Sequence, residues 1–175
     1  DDRKSVRLRT DEIVKAFAAY RRLYDAEARL TLVGGSSSHA YQTAIERYVD
    51  ALVIEDAVTM TGSVSQQALA AYFRAADVFV CLSEHEGFMV PMLEAIYNRV
   101  PVVAYDATAV PETLDGGGVL LTDKSPVDVA SVVDRVVNDT AVREALVAAG
   151  QQRLADFSTA RVRERWTDAL KSLLG

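Results

Sequence analysis

One short apolar run, followed by an acidic loop and a helix, constrains the fold of this chain more than any other feature. Residues Val78 to Leu82 form a continuous apolar stretch of strand length, which is typical of a parallel strand covered on both faces. The chain leaves this strand through Ser83 to Phe88, and Pro91 lies early in the predicted helix, where its missing N–H costs no hydrogen bond. Parallel sheets bind ligands outside the carboxyl ends of their strands and against helix N-termini, so this segment predicts a binding site.

The rest of the sequence repeats this alternation of short apolar runs and helical periodicity. Such alternation is typical of βαβ units, so we predict an α/β fold with a Rossmann-like parallel sheet and helices on both faces. We treat residues 1–175 as a single domain, because no repeat or low-complexity linker interrupts them. Further strands are predicted at 30–33, 58–61, 101–105 and 119–121, and helices at about 11–24, 41–53, 66–75, 90–98, 126–138, 140–156 and 159–174.

The first predicted helix has no strand before it, although a doubly wound sheet normally opens with one. Val6 and Leu8 alternate with arginines and make a poor core strand, so residues 1–10 are assigned to a poorly defined terminus. We infer that the chain is a fragment, or that its natural first strand is missing or replaced.

Composition and charge exclude several classes of protein. The chain has 175 residues, of which 50% are hydrophobic and 25% charged, which suits a soluble domain with a sizeable core. Its formal net charge is −6 and no block of lysine and arginine dominates, so we expect no nucleic-acid partner. The one cysteine, Cys81, lies in a predicted core strand and cannot form an internal disulfide, which favours a reducing cytoplasm. No apolar stretch approaches the roughly 20 residues needed to span a bilayer.

Two glutamates flank the predicted start of the helix after the acidic loop. Glu86 and Glu94 are separated by seven residues. A carboxylate near a helix start can accept hydrogen bonds from two neighbouring sugar hydroxyls, and Gly87 lets the backbone approach a ligand closely. Spacing alone leaves a second interpretation open, in which these residues are a charged loop and a solvated helical glutamate.

The string from Ser83 to Ala95 resembles the signature of the family-4 retaining glycosyltransferases, in which two glutamates separated by seven residues follow a buried strand. The resemblance extends from about Asp11 to the last helix. It implies a GT-B enzyme, in which two Rossmann-like domains face each other across a cleft, and this chain would be the C-terminal domain that holds the nucleotide-sugar donor. The matching flanking stretches are 30–35, 61–64, 69–77, 101–104, 110–113 and 117–121.

The resemblance also implies a role for each candidate site residue. Glu86 would be the catalytic-site residue beside the transferred sugar, and Glu94 would bind the ribose hydroxyls. The backbone of Gly87, Phe88 and Met89 would hold sugar hydroxyls and diphosphate oxygens. Four further residues would line the pocket and meet the nucleobase edge: Gly34, Gly35, Ser63 and Val64.

We expect no metal ion and no cofactor besides the donor substrate. The sequence contains no Asp-x-Asp pair, no histidine–cysteine cluster with ligand spacing, no dinucleotide-binding glycine motif and no Walker lysine. The resemblance implies a nucleotide sugar as donor, either GDP-mannose, which we favour, or a UDP-hexose. It also implies a glycan or lipid-linked acceptor, an N-terminal domain of the same enzyme as partner, and a cytoplasmic location with peripheral membrane contact through that domain.

One departure from the family pattern concerns the diphosphate. The family places an arginine and a lysine there, but Leu8 stands where the lysine is expected. The nearby cations Arg3, Lys4, Arg7 and Arg9 are interpreted as a solvated terminus. We therefore expect no catalysis by the isolated chain, and we keep a second hypothesis, a non-catalytic nucleotide-sugar-binding or assembly module that retains the fold.

Several other residues allow both a functional and a structural interpretation. We interpret His85 as a loop residue that shapes Glu86 rather than as a catalytic base, and His39 as a weak candidate for a diphosphate contact. The serines 36–38 are expected to cap the next helix. Core or interdomain packing is predicted for Phe157 and Trp166, and a solvated helix face for Arg161, Arg163 and Arg165.

Overall fold

The computed structural model describes residues 10–35 and 38–174, and it contains the predicted strands and helices with small shifts at their ends. The predicted strand at 78–82 is shorter, since only three residues pair with a neighbour. The predictions for residues 1–9 lie outside the described residues.

The strands are β1 (Leu30–Val33), β2 (Val58–Gly62), β3 (Phe79–Cys81), β4 (Val102–Tyr105) and β5 (Val119–Leu121). The helices are α1 (Thr10–Leu23), α2 (His39–Ala51), α3 (Gln66–Ala75), α4 (Val90–Tyr97), α5 (Val110–Leu114), α6 (Pro126–Asn138), α7 (Thr140–Leu154) and α8 (Thr159–Leu174), with a 3-10 helix at Ala155–Phe157.

The strands form two parallel sheets. β1 pairs with β2, and β4 lies between β3 and β5, with Phe79 opposite Val102 and Val103 opposite Val119. Among the described residues no strand of one sheet pairs with a strand of the other, and the first described element is the helix α1. Because every pairing is parallel, the strands of each sheet end at the same edge.

The three-stranded sheet is covered by helices on both faces, as predicted. Alternate residues along its strands point to opposite faces. Cys81 and Ala104 pack with residues of α3, α4 and α5, whereas Leu82 and Val103 pack with residues of α1 and α6. Burial also raises the pKa of the Cys81 thiol, so this cysteine stays protonated near neutral pH and acts as a small core residue.

The two-stranded sheet is joined to the rest of the fold through α1. Leu30 and Leu32 face a cluster formed with α1 and α2, while the intervening Thr31 is exposed. Helix α1 contributes Phe17 to this cluster and Ala16 to the cluster on β3, β4 and β5. Neighbouring residues on one helix therefore pack against different sheets.

Helix α8 lies on the surface with its apolar residues uncovered. Four apolar side chains at helical spacing form an exposed row, here termed the α8 stripe: Val162, Trp166, Leu170 and Leu173. Trp166 is 67% exposed, which excludes core packing among the described residues and leaves interdomain packing as a prediction, while the predicted solvated face holds for the exposed arginines 161, 163 and 165. Among the described helices, none combines the length and the apolar character required to cross a bilayer.

The close approach of β4 to the segment before β5 gives a test of the packing. A Cβ atom at Gly118 would lie 2.7 Å from the Val102 carbonyl oxygen and 3.0 Å from Leu114 Cδ1. We expect Gly118→Ala to lower the free energy of unfolding by about 2 kcal/mol, measured by urea denaturation, because a buried backbone must move. Gly87→Ala is the control, because its Cβ would meet nothing within 4 Å, and a change above about 0.5 kcal/mol there would contradict this packing.

Candidate functional site

The acidic loop leaves β3 at the carboxyl edge of the three-stranded sheet. Ser83 is buried directly after the strand, and the chain then turns outward, so that Glu86 is half-buried and Gly87 is exposed. Phe88 lies against Phe157, with ring centroids 5.2 Å apart in an edge-to-face arrangement. This contact accounts for Phe157 as a packing residue and leaves the acidic loop open to solvent on its other side.

Helix α4 begins directly after this loop, with an unusual backbone at its first position. Met89 caps the helix with a left-handed backbone at φ 53°, which non-glycine residues rarely adopt. Its side chain is buried with Met92, and this packing holds the strained conformation in place. Pro91 lies in the first turn, as predicted. Pro91 has no N–H and the Met92 N–H donates to the Met89 carbonyl oxygen at 3.1 Å, so this helix start would attract an anion beside Glu86 through the helix dipole more than through first-turn N–H groups.

A second loop holds the backbone of Glu86. The Thr108 hydroxyl donates to the Glu86 carbonyl oxygen at 2.7 Å and accepts the Glu86 N–H at 3.0 Å. Thr108 follows β4, whose neighbour β3 leads into the acidic loop. The sequence analysis missed this residue, because its contact joins positions 22 residues apart and no local pattern indicates it.

Glu94 lies one turn into α4 and is linked to α3. Its Oε1 accepts a hydrogen bond from Gln66 Nε2 at 3.0 Å. Gln66 is the first residue of α3, directly after Ser65, whose hydroxyl accepts the Ala68 N–H and caps the helix. The sequence analysis missed Gln66 as well. Its only signal was a polar side chain at the helix start beside the predicted base-binding turn.

The ends of β1 and β2 meet at the carboxyl edge of the two-stranded sheet. The Gly34 N–H donates to the Gly62 carbonyl oxygen at 3.1 Å, and a Cβ atom at Gly35 would lie 2.9 Å from Ser63 Oγ. Ser63 is exposed and Val64 half-buried. The Gln66–Glu94 bond connects this glycine-rich turn with the acidic loop and α4, so the predicted site residues occupy one edge of the molecule.

A buried cation crosses the same edge. Lys124, after β5, places its Nζ 2.8 Å from Glu12 Oε2, 2.8 Å from Glu84 Oε1 and 4.4 Å from the centre of the Tyr105 ring. Burial lowers the pKa of Lys124, but its hydrogen bonds to the two carboxylates outweigh burial and raise that pKa above its usual value. The sequence analysis missed this network, which ties the acidic loop to the start of α1.

The remaining candidates have mostly local contacts. His85 is exposed, and His39 Nδ1 lies 3.1 Å from Thr43 Oγ1 within α2. Ser38 caps α2 by accepting the Tyr41 N–H at 3.2 Å, which confirms the predicted cap, while serines 36 and 37 lie outside the described residues. In residues 10–35 and 38–174, no group of three or more histidine, cysteine or acidic side chains is placed to hold a metal ion.

Comparison with known proteins identifies the family. The family model described as Glycosyl transferases group 1 matches residues 7–153. The chain is 31% identical over 151 residues to a GDP-mannose-dependent alpha-(1-6)-phosphatidylinositol monomannoside mannosyltransferase of Mycobacterium tuberculosis, which covers 81% of this chain and 38% of that protein. The chain spans about a third of the length of the curated relatives that it matches.

Two solved structures show the same fold. One is the C-terminal domain of a glycosyl transferase group 1 family protein, LpcC, from Francisella tularensis, with a TM-score of 0.72, 24% identity and coverage of 83% of this chain and 77% of that one. The other is Anabaena Alr3699/HepE in complex with UDP-glucose, with a TM-score of 0.80, 20% identity and coverage of 94% and 45%.

The parallel α/β fold of this chain is that of the C-terminal, Rossmann-like domain of a GT-B glycosyltransferase. The chain belongs to the group 1 glycosyltransferase family, which confirms the resemblance found in the sequence.

The Lys124 network yields a stability prediction. We expect Lys124→Met to lower the free energy of unfolding by about 2 kcal/mol at pH 7, because the largely buried Glu12 carboxylate and the more exposed Glu84 carboxylate lose the cation they share. The part of the stability that comes from the raised pKa of Lys124 is present at pH values below the usual pKa of lysine and is lost as the pH rises through the folded-state value.

The control for this prediction is an exposed ion pair. Arg135 lies 4.0 Å from Asp139 and its side chain is 74% exposed, so Arg135→Met should change the unfolding free energy by about 0.5 kcal/mol or less. Equal effects of the two substitutions in urea denaturation would contradict the role given to Lys124.

Proposed function

We propose that this chain is the donor-binding domain of a retaining glycosyltransferase that transfers a hexose from a nucleotide sugar to a glycan or lipid-linked acceptor. The observation that carries the proposal is the hydrogen bond between Gln66 and Glu94. It joins the turn expected to meet the nucleobase to the helix that follows the acidic loop. A nucleotide sugar suits this arrangement, because its base and its sugar would contact these two elements.

Each part of the donor has a complementary group along this edge. The Glu94 carboxylate has a second oxygen that can accept a ribose hydroxyl while Gln66 holds the first in place. The backbone at Ser63 and Val64 would meet the nucleobase, and Gly34 and Gly35 would allow the ligand to pass close to the end of β1.

The start of α4 suits the chemistry of the leaving group. When the bond between the sugar and the diphosphate breaks, negative charge develops on the diphosphate oxygens. The helix dipole at the start of α4, together with the backbone N–H groups of Gly87 to Met89, would stabilise that charge without a metal ion. Glu86 would lie beside the transferred sugar, and we propose that transfer needs no cofactor besides the donor.

The names of two similar proteins narrow the choice of donor base and sugar. One relative is named as GDP-mannose-dependent, and one structural neighbour is a complex with UDP-glucose. We give priority to GDP-mannose, because it is the donor named for the relative with the higher identity, and we keep UDP-hexoses as the second class.

A second domain is needed to complete the cleft. Trp166 and the other residues of the α8 stripe are exposed, which suits contact with an N-terminal domain of the same enzyme. The acceptor and any peripheral contact with the inner face of a membrane would involve that domain. We therefore propose a cytoplasmic enzyme whose C-terminal domain binds the donor but does not catalyse transfer by itself.

Glu94→Ala tests donor binding directly. Loss of a charge-assisted hydrogen bond to ribose should weaken binding of GDP-mannose, GDP, UDP-glucose or UDP by about 10- to 100-fold in calorimetric titration. Glu144→Ala, which removes an exposed glutamate on α7, should leave the affinity unchanged. If the folded wild-type chain binds none of the four ligands, the proposed function is wrong for this chain.

Trp166→Ala tests the assignment of the α8 stripe. Because Trp166 is 67% exposed, its removal should change the unfolding free energy of the 175-residue chain by about 0.5 kcal/mol or less in urea denaturation. Phe73→Ala is the buried aromatic control and should cost about 3 to 5 kcal/mol. A large loss for Trp166→Ala would mean that the stripe stabilises this domain itself and is not kept for a partner.

A further inference from the structure

Thr108 makes two hydrogen bonds to the backbone of one residue, and that residue is Glu86. Its hydroxyl donates to the Glu86 carbonyl oxygen at 2.7 Å and accepts the Glu86 N–H at 3.0 Å. A single hydroxyl therefore satisfies both polar backbone groups of this residue. Backbone groups in an open loop normally bond to water, so this contact fixes a position that the loop alone would leave variable.

The backbone of Thr108 is in a conformation that disfavours threonine. Its φ is 49°, in the left-handed region, where a β-branched side chain is a clear outlier. Glycine would adopt this conformation without strain, but glycine has no hydroxyl. Strained residues persist where the surrounding structure holds them, and they cluster at functional sites. The strained backbone of Thr108 and its two hydrogen bonds to Glu86 are independent observations, and both concern the same contact.

We propose that Thr108 is the positioning residue for Glu86. By fixing the Glu86 backbone relative to β4, the hydroxyl sets where the carboxylate stands against the transferred sugar. The inference rests on the proposed function, because it assigns the sugar end of the donor to Glu86. The nucleoside would be held elsewhere, by the Gln66–Glu94 pair and the turn at Ser63 and Val64, and the diphosphate by the start of α4, which the buried Met89 side chain fixes without Thr108. Loss of the hydroxyl therefore affects recognition of the sugar and leaves recognition of the nucleotide intact.

Three variants of the 175-residue chain separate this role from a merely structural one. Thr108→Gly removes the hydroxyl and relieves the left-handed strain, whereas Thr108→Ser keeps the hydroxyl. Thr167→Ala is the control, because it removes another threonine hydroxyl, bonded to the Arg163 carbonyl oxygen at 2.8 Å on the exposed helix α8. Each variant is titrated with GDP, GDP-mannose, UDP and UDP-glucose.

We expect Thr108→Gly to weaken binding of the nucleotide sugar about tenfold. The affinity for the bare nucleoside diphosphate should stay within about twofold of the wild-type value. Thr108→Ser and Thr167→Ala should match wild type for both ligands. Hydrogen exchange of the Glu86 amide in the unliganded protein gives a second readout. It should accelerate in Thr108→Gly and stay slow in Thr108→Ser, because only the glycine variant lacks the acceptor for that N–H.

The outcomes distinguish this inference from the proposed function. Absence of binding by the wild-type chain overturns the proposed function, and this inference with it. If the wild-type chain binds, three results would overturn the inference alone. Thr108→Gly could bind the nucleotide sugar as tightly as wild type, or it could lose equal affinity for the nucleotide sugar and the nucleoside diphosphate. Thr108→Ser could also fail to keep the wild-type affinity.

Discussion

The packing of α1 between two apolar clusters is the interaction on which the rest of the structure depends. The two sheets share no strand pairing among the described residues, so hydrogen bonds between strands do not fix their relative position. Phe17 and Ala16 lie side by side on α1 and pack against different sheets. This packing, assisted by α3, brings both sets of strand ends to one edge and so sets the distance between the two halves of the site.

The chemistry of that edge follows from how its loops are held. Met89 and Thr108 both have left-handed backbones, and both lie beside the Glu86 segment. Core packing of the Met89 side chain and hydrogen bonding by the Thr108 hydroxyl retain these conformations. Lys124 joins the same loop to α1 through Glu84 and Glu12. The exposed acidic loop is thus supported by three separate contacts, which is the kind of support that a pre-organised site requires.

The sequence predicts the elements and the edge of the site, because both depend on local patterns. Apolar runs of strand length, glycines at strand ends and the spacing of Glu86 and Glu94 are all visible in the chain. Gln66, Thr108 and Lys124 were missed because their partners lie 28, 22 and 40 residues away, and such contacts depend on the tertiary fold. Core and interdomain packing of Trp166 could not be separated from the sequence for a related reason, since periodicity reveals an apolar face but not what covers it.

The measurement that tests the central claim most directly is an NMR titration of the ¹⁵N-labelled chain with GDP-mannose, followed residue by residue. The account predicts that amide shifts change along the carboxyl edge of both sheets, at Gly34, Gly35, Ser63, Val64 and the segment 86–89. Shift changes confined to the opposite edge, around Ala57, Ala76 and Val100, would contradict the claim that this edge binds the donor.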